Sequence, residues 1–217
     1  MKPKINYQLE MERELARLAQ AGSRPMLVLH SCCAPCSSAV LERLHEAFQL
    51  VVFYYNPNIS PEAEFRHRAR EQARLVREMP LRDDVRVVEG EYDPENFYAR
   101  VRGYEDAPEG GERCSICFEM RLRKTAEYAR SIGAQYFTTT LSISPLKDAA
   151  RLNAIGTGLA GEYGLNYLVS DFKKKDGYRR SCALSETYGL YRQDFCGCVF
   201  SQMERERARA DREQKSD

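Results

Sequence analysis

Five short strand-like segments alternate with longer helix-like segments, and this alternation constrains the fold more than any other feature of the sequence. The strand-like segments are rich in β-branched and aromatic residues and are bounded by polar or glycine-containing stretches. They cover residues 26–30, 50–55, 85–90, 135–140 and 165–170. Strands that alternate with helices form βαβ crossovers, so the sequence predicts an α/β fold with a parallel five-stranded sheet and helices on both faces.

Helical patterns fill most of the intervals between these strands. The predicted helices span residues 37–48, 61–77, 117–131 and 145–163, with an opening helix before the first strand and a closing one after Cys198. No internal repeat or long linker divides the chain. We therefore expect a single α/β domain over residues 1–203, followed by a charged tail over residues 204–217 that is frayed or disordered.

The stretch HSCCAPCS, residues 30–37, places three of the chain's eight cysteines on one turn. It follows the first predicted strand, and in parallel sheets functional sites form where such carboxyl ends meet a helix. Pro35 suits a first helical turn, and the positive end of a helix dipole stabilises thiolates. The remaining cysteines are Cys114, Cys117, Cys182, Cys196 and Cys198.

The expected compartment limits what these thiols can be. The amino terminus lacks the apolar core of a secretory signal, and no stretch approaches the ~18 apolar residues of a membrane span, so we expect a cytoplasmic protein. With 217 residues, 43% of them hydrophobic, the chain can bury a core without cross-links. Clustered cysteines in a reducing compartment are more often metal ligands or redox catalysts than structural bridges.

Three chemistries fit the cysteine pattern. Cys33 and Cys36 alone have the CxPC form of a thioredoxin-type dithiol. Together with Cys114 and Cys117 they form two CxxC hooks, as in a structural zinc site with an unusually long gap. An iron-sulfur cluster would also use Cys32, because adjacent cysteines can serve neighbouring irons. The cysteine pattern alone leaves these alternatives open.

Residues that could contact a substrate lie in two kinds of place. The run DFKKKDGYRRS surrounds one aromatic side chain with basic ones, as phosphate binding with base stacking requires, although a solvated loop has the same composition. Asn56, Asn58 and Ser144 follow predicted strands and could hydrogen-bond a substrate or cap local turns. The basic run supplies Lys173, Lys174, Lys175, Tyr178, Arg179 and Arg180. The net charge of +1 does not decide between these interpretations.

Six sequence blocks together resemble one known family. The blocks are LHSCCAPCS, FYYNPNISPEAEFRHR, RCSICFEMRL, FTTTLSISPLKD, DFKKKDGYRRS and YRQDFCGCVFS. In this order they resemble the cobalamin-independent epoxyqueuosine reductases of the QueH type, over residues 26–201. The resemblance implies a domain similar to the nucleotide-binding, HUP-like fold of ATP pyrophosphatases, with a C-terminal helical segment and with cysteines in place of the phosphate-binding loop.

The resemblance also implies roles for most of the cysteines. Cys32, Cys33, Cys114 and Cys117 match the ligands of a 4Fe-4S cluster, and Cys36 matches a ligand of an additional mononuclear iron. Cys196 and Cys198 are expected to act as a redox couple that forms a disulfide, or as a further ligand, with two reduced core thiols as the alternative.

The implied reaction is the reductive removal of the epoxide oxygen of epoxyqueuosine at the tRNA wobble position, which gives queuosine. Its partners would be the anticodon stem-loop of tRNA and an external low-potential electron donor. A zinc-binding, non-catalytic RNA-binding protein is the alternative function. That alternative predicts a colourless, redox-silent chain with the same basic run.

Overall fold

A central sheet of five parallel strands organises the computed structural model of the protein, which describes residues 5–213 and the side chains of residues 5–210. The strands are β1 (Met26–His30), β2 (Gln49–Tyr54), β3 (Arg86–Glu89), β4 (Tyr136–Thr139) and β5 (Asn166–Tyr167). Their order across the sheet is β3-β2-β1-β4-β5, and every neighbouring pair is parallel. The predicted α/β fold with five parallel strands is confirmed.

Eight helices lie within the described part of the chain. They are α1 (Tyr7–Gln20), α2 (Ala34–Leu44), α3 (Glu62–Glu78), α4 (Pro94–Val101), α5 (Glu112–Ser131), α6 (Ala149–Tyr163), α7 (Gly177–Thr187) and α8 (Val199–Glu213). A short 3-10 helix, Thr140–Ile143, follows β4. None of the described helices is long and apolar enough to cross a membrane.

The sheet carries a hydrophobic core on each face, because side chains alternate between the two faces along every strand. Leu27 and Leu29 of β1 pack on the side that also buries residues of α1, α2 and α3. Val28 of β1 packs on the opposite side, with Phe53 and residues of α5 and α6. Helices therefore cover both faces, as the near-continuous apolar character of the inner strands requires.

The direction in which the chain moves across the sheet changes at β1. From β1 the chain goes outward through β2 to β3, and it then returns to place β4 on the other side of β1. His30 at the carboxyl end of β1 is in register with Thr139 of β4. This switch point sets the cysteine turn after β1 beside the 3-10 helix after β4, which is where sites form in parallel α/β sheets.

Three helices begin three or more residues from the start that the sequence predicted. Helix α2 begins at Ala34 and not at residue 37. Helix α5 begins at Glu112, five residues before the predicted start, so that Cys114 and Cys117 both lie within its first turns. Helix α6 begins at Ala149 because Asp148 caps it, accepting hydrogen bonds from Ala150 N (2.8 Å) and Arg151 N (3.2 Å). Residues 145–148, predicted as helix, lie in the preceding turn.

Two other helices, α4 and α7, were not predicted. The basic run is a loop only in its first half, residues 171–176, because Gly177–Arg180 form the first turn of α7. A Cβ atom on Gly177 would lie 1.8 Å from the carbonyl oxygen of Phe172, so only glycine fits at this helix start.

The carboxyl-terminal segment is helical as far as the structure describes it. Helix α8 continues through residues 204–213, the first part of the predicted charged tail, and residues 214–217 lie outside the described residues. The division of the chain into a domain over 1–203 and a tail stays a prediction.

Candidate metal centre

The cysteine turn gathers three sulfur atoms at the amino terminus of α2. Cys33 is the N-cap residue of that helix and Pro35 lies in its first turn, as the sequence predicted. The sulfurs of Cys32, Cys33 and Cys36 all lie within 4.8 Å of one another, and those of Cys32 and Cys33 are 3.9 Å apart. A tetrahedral ion with ~2.3 Å metal–sulfur bonds would hold its thiolates ~3.8 Å apart, so this thiol triad can hold a metal.

Protons are shared unequally within the thiol triad. Hydrogen bonds from the thiols of Cys32 and Cys36 hold the pKa of Cys33 well below its usual value, although burial acts against them. The neighbouring thiols of Cys32 and Cys33 raise the pKa of Cys36, and burial adds to that increase. One thiolate is thus stabilised by two thiols, and a metal that bound here would displace the remaining protons.

The thiol triad lies in the wall of a cavity of about 280 Å³. Arg68 and Arg121 contribute basic groups to this cavity, and Ser144 and Leu146 line it from the turn after the 3-10 helix. Tyr178 of α7 and residues 192–196 also line the cavity. Thiols, cations and an aromatic ring therefore line the same cavity.

A second group of cysteines lines a smaller cavity of about 10 Å³, room for about one water. Cys114 and Cys117 are one helical turn apart on α5, and Cys196 and Cys198 face them from the segment before α8. Burial raises the pKa of Cys117 to about 11 and that of Cys198 to about 12.

Backbone amides donate hydrogen bonds to two sulfurs of this second group. Gly110 N donates to Cys114 Sγ at 3.2 Å, and Ser201 N donates to Cys198 Sγ at 3.4 Å. Such donors stabilise negative charge on sulfur. The surroundings of the second group therefore favour thiolates once a metal offsets the cost of burial.

Arg121 and Cys196 connect the two groups of cysteines. Cys196 lines both cavities, and Arg121 lines the larger one while its Nη1 lies 3.8 Å from Cys117 Sγ. The four proposed cluster ligands are therefore divided between two adjoining cavities. Among residues 5–210, the thiol triad is the one group of three or more potential metal ligands whose donor atoms all lie within 4.8 Å of one another.

All eight cysteines are free thiols in the structure. The disulfide expected between Cys196 and Cys198 is therefore not formed. Two cysteines separated by one residue seldom reach the geometry of an unstrained disulfide, which gives the physical reason.

The predicted substrate residues occupy different environments. Ser144 and Tyr178 line the larger cavity, and the Tyr178 side chain is 40% exposed at its edge. Asn58 is buried and lines the smaller cavity. Asn56 is fully buried, donates to Ser31 O at 2.9 Å and accepts a hydrogen bond from Arg121.

The basic run is largely engaged in ion pairs. Lys173 Nζ lies 2.6 Å from Asp171, and Lys175 Nζ lies 2.7 Å from Glu12 of α1. Arg179 pairs with Asp176 at 3.2 Å, and Arg180 pairs with Glu42 at 2.6 Å. Lys174 is exposed and forms no ion pair with the described residues. The pairs of Lys175, Arg179 and Arg180, whose basic side chains are more than half exposed, are weak.

Comparison with known proteins decides the family. The family model described as "Epoxyqueuosine reductase QueH" matches residues 27–204. The chain belongs to the QueH family. A relative of that name from Staphylococcus epidermidis is 40% identical over 204 residues, which cover 92% of this chain and 86% of the relative.

Two further QueH relatives extend the match to other bacteria. The one from Streptococcus pyogenes is 40% identical over 200 residues, covering 91% of this chain and 78% of the relative. The one from Thermotoga maritima is 35% identical over 188 residues, covering 85% of this chain and 94% of the relative. Each match spans most of both proteins, so the resemblance drawn from six sequence blocks is confirmed as family membership.

Several charged residues of this QueH-family site were not predicted from the sequence. Arg68, Arg121, Glu109 and Lys147 all line the larger cavity. One signal pointed to Arg121, because it follows Cys117 by four residues and residues so spaced share a helix face. The others come from separate segments of the chain that only the fold brings together.

Proposed function

We propose that the protein is an epoxyqueuosine reductase that converts epoxyqueuosine at the tRNA wobble position to queuosine. In this reaction two C–O bonds of the epoxide break and a C=C bond forms. Two electrons and two protons are consumed, and the oxygen leaves as water. The observation that carries the proposal is a thiol triad in the wall of a cavity of about 280 Å³, in a chain of the QueH family.

We infer that the thiols hold a 4Fe-4S cluster through Cys32, Cys33, Cys114 and Cys117, and an additional iron through Cys36. The donors present support this assignment, since they are sulfurs with backbone amides and a buried guanidinium beside them. When bound, such centres supply electrons one at a time and an open iron position that can polarise an oxygen.

The protein's own side chains would position the substrate. A base inside a stacked anticodon loop cannot reach a buried centre, so it must be extruded into the cavity. Tyr178 offers a ring for stacking at the cavity edge, and Ser144 offers a hydroxyl inside it.

The partners follow from this assignment. Lys173, Lys174 and Lys175 line a groove beside α1, where they can meet phosphates of the anticodon stem-loop. Because the chain's thiols do not provide the net electrons for repeated turnover, an external low-potential donor must supply them. We place the reaction in the cytoplasm, the reducing compartment that free thiols require.

A cellular complementation experiment tests this function. A bacterial strain without its own epoxyqueuosine reductase accumulates epoxyqueuosine in its tRNA, and expression of this protein should replace it with queuosine. Mass spectrometry of digested tRNA distinguishes the two nucleosides by one oxygen atom. A Cys36→Ala variant, expressed equally, should leave the epoxide in place. Unchanged epoxyqueuosine with well-expressed wild-type protein would contradict the proposal.

Metal analysis separates the reductase from a zinc-binding, non-catalytic RNA-binding protein. Anaerobically purified protein should contain iron and acid-labile sulfide, and it should absorb visible light that a reductant bleaches. A colourless protein with stoichiometric zinc would support the alternative.

A further inference from the structure

Arg121 is a buried cation without a carboxylate partner. Its side chain is 1% exposed, and its three nitrogens each have a different neighbour. Nε lies 3.2 Å from His30 Nε2, Nη2 donates to Asn56 Oδ1, and Nη1 lies 3.8 Å from Cys117 Sγ. None of the carboxylate oxygens within residues 5–210 forms an ion pair with it.

The other buried cations near the site are each paired with a carboxylate. Arg68 lies 2.7 Å from Glu64, Arg113 lies 2.8 Å from Glu204, and Lys147 lies 2.8 Å from Glu109. Removing a charge from water is costly unless an opposite charge compensates it. Arg121 therefore differs from these three buried cations, because no carboxylate compensates its charge.

Neither His30 nor Asn56 can compensate this charge. His30 Nε2 lies 3.2 Å from Arg121 Nε and 3.2 Å from Tyr55 O, and His30 Nδ1 lies 2.8 Å from Thr139 Oγ1. An imidazole is neutral or cationic, so it does not supply the negative charge that would balance a guanidinium. Asn56 is neutral and is fixed in turn by Ser31 O. These two residues orient the guanidinium without balancing it.

The groups that can become anionic beside Arg121 are sulfurs. Arg121 Nη1 lies 3.8 Å from Cys117 Sγ, and Arg121 lines the larger cavity together with two other nearby cysteines, Cys32 and Cys196. Two of these three cysteines, Cys117 and Cys32, belong to the proposed cluster ligands. The guanidinium therefore lies between the two cysteine groups that would share one metal centre.

We propose that Arg121 is the counter-charge of the metal centre and that its fixed positive charge favours the reduced form of that centre. This inference rests on the iron-sulfur chemistry proposed above. A one-electron reduction adds one negative charge to the centre. A guanidinium in contact with a ligand sulfur stabilises the more negative state, which raises the reduction potential.

A redox titration of the iron-loaded protein tests the role of charge. Arg121→Gln should lower the midpoint potential of the centre, because it removes the charge and keeps hydrogen-bond donors. Arg121→Lys should remain near the wild-type potential, because it keeps the charge. An unchanged potential in Arg121→Gln, or an equal fall in both variants, would overturn the proposal. Iron retention by the lysine variant and not by the glutamine variant would also support it.

A stability comparison separates charge compensation from packing. Iron loading should raise the melting temperature of Arg121→Gln by less than it raises that of the wild type. The control is Arg24→Gln. Arg24 pairs with Asp84 at 2.9 Å and precedes β1, whereas the cysteine turn follows β1. The control substitution should lower the melting temperatures of the iron-free and loaded forms equally. If Arg121→Gln lowered the melting temperatures of the iron-free and loaded forms equally, Arg121 would have only a packing role.

The two experiments also keep this inference distinct from the reductase proposal. Potentials and melting temperatures are measured without tRNA. A loaded wild-type protein that fails to reduce epoxyqueuosine would contradict the function, while the comparison of Arg121 variants would still test the counter-charge.

Discussion

Cys36 differs from the other thiols of the triad in its place on α2. It lies in the first turn of that helix and is partly exposed to the larger cavity, whereas Cys33 is buried at the N-cap. We expect Cys36→Ala to retain most of the cluster absorbance and to lose turnover, because Cys36 serves the additional iron. Absorption spectra and iron counts on the same sample check this. Loss of the whole cluster would instead place Cys36 among the cluster ligands.

The cysteines of α5 should be needed to hold iron. A Cys114→Ser, Cys117→Ser double variant replaces two proposed thiolate ligands with weaker donors, so iron and sulfide content should fall to a small fraction of the wild-type value. Cys182→Ser is the matched control, because Cys182 is a partly exposed thiol on α7 outside both cavities. Full iron retention in the double variant would exclude Cys114 and Cys117 as ligands.

At the residue scale, the cysteines of the site were easier to predict from the sequence than its charged residues. The spacing of Cys32, Cys33 and Cys36 predicted a gathered triad, because three residues on one turn remain close in any fold. The pairing of Lys147 with Glu109 was not predictable, since 38 residues separate them and only the cavity wall brings them together. The contact of Asn56 with Arg121 was not predictable either, since 65 residues separate them, and a role of Asn56 in substrate binding stays a prediction.

Two of the three glycines of helix α6 have opposite surroundings, which provides a matched test of its packing. A Cβ atom on Gly156 would lie 2.3 Å from the Tyr167 ring of β5, whereas nothing lies within 4 Å of one on Gly158. Gly156→Ala should therefore lower the free energy of unfolding by about 1–3 kcal/mol through overpacking. Gly158→Ala should raise it by about 0.5–1 kcal/mol through helix propensity.

Denaturant unfolding of the iron-free protein measures both glycine variants under one condition. Opposite signs are expected. A similar change in the two variants would mean that α6 does not approach β5 as closely as the structure indicates.

At the element scale, strand positions were easier to predict than strand lengths. The fifth strand was expected over residues 165–170 but pairs only at Asn166–Tyr167. Side chains satisfy much of the backbone beyond it, since Thr138 Oγ1 donates to Leu168 O at 2.8 Å and Asn153 Nδ2 donates to Ser170 O at 2.8 Å. These side chains take the place of the backbone hydrogen bonds of a neighbouring strand, and the hydrophobic pattern of the sequence does not predict them.

At the scale of the whole molecule, the basic run should act on tRNA through its charge. Each lysine that meets a phosphate releases counterions, so a Lys173, Lys174, Lys175 triple alanine variant should bind tRNA more weakly. The slope of log affinity against log salt should become shallower by roughly one for each phosphate that the variant no longer binds. Lys124→Ala is the control, a lysine on α5 with a side chain 46% exposed. Values indistinguishable from the wild type would mean that the run is only a solvated surface.

The whole fold was predictable because its main determinant is local. Alternating strands and helices of these lengths permit few arrangements other than a parallel sheet covered on both faces. The site was only partly predictable, because its cysteines come from three separate segments. Their division between two cavities, with Arg121 between them, depends on how α5 packs beside β1 and on where the segment before α8 returns.

The most direct test of the central claim is turnover by the purified protein. Iron-loaded protein, a low-potential reductant and tRNA that carries epoxyqueuosine are incubated without oxygen, and the digested nucleosides are analysed by mass spectrometry. We predict that epoxyqueuosine is replaced by queuosine, and that the Cys36→Ala variant leaves it unchanged. If the loaded wild-type protein is reduced and binds the tRNA but the epoxide remains intact, the account is contradicted.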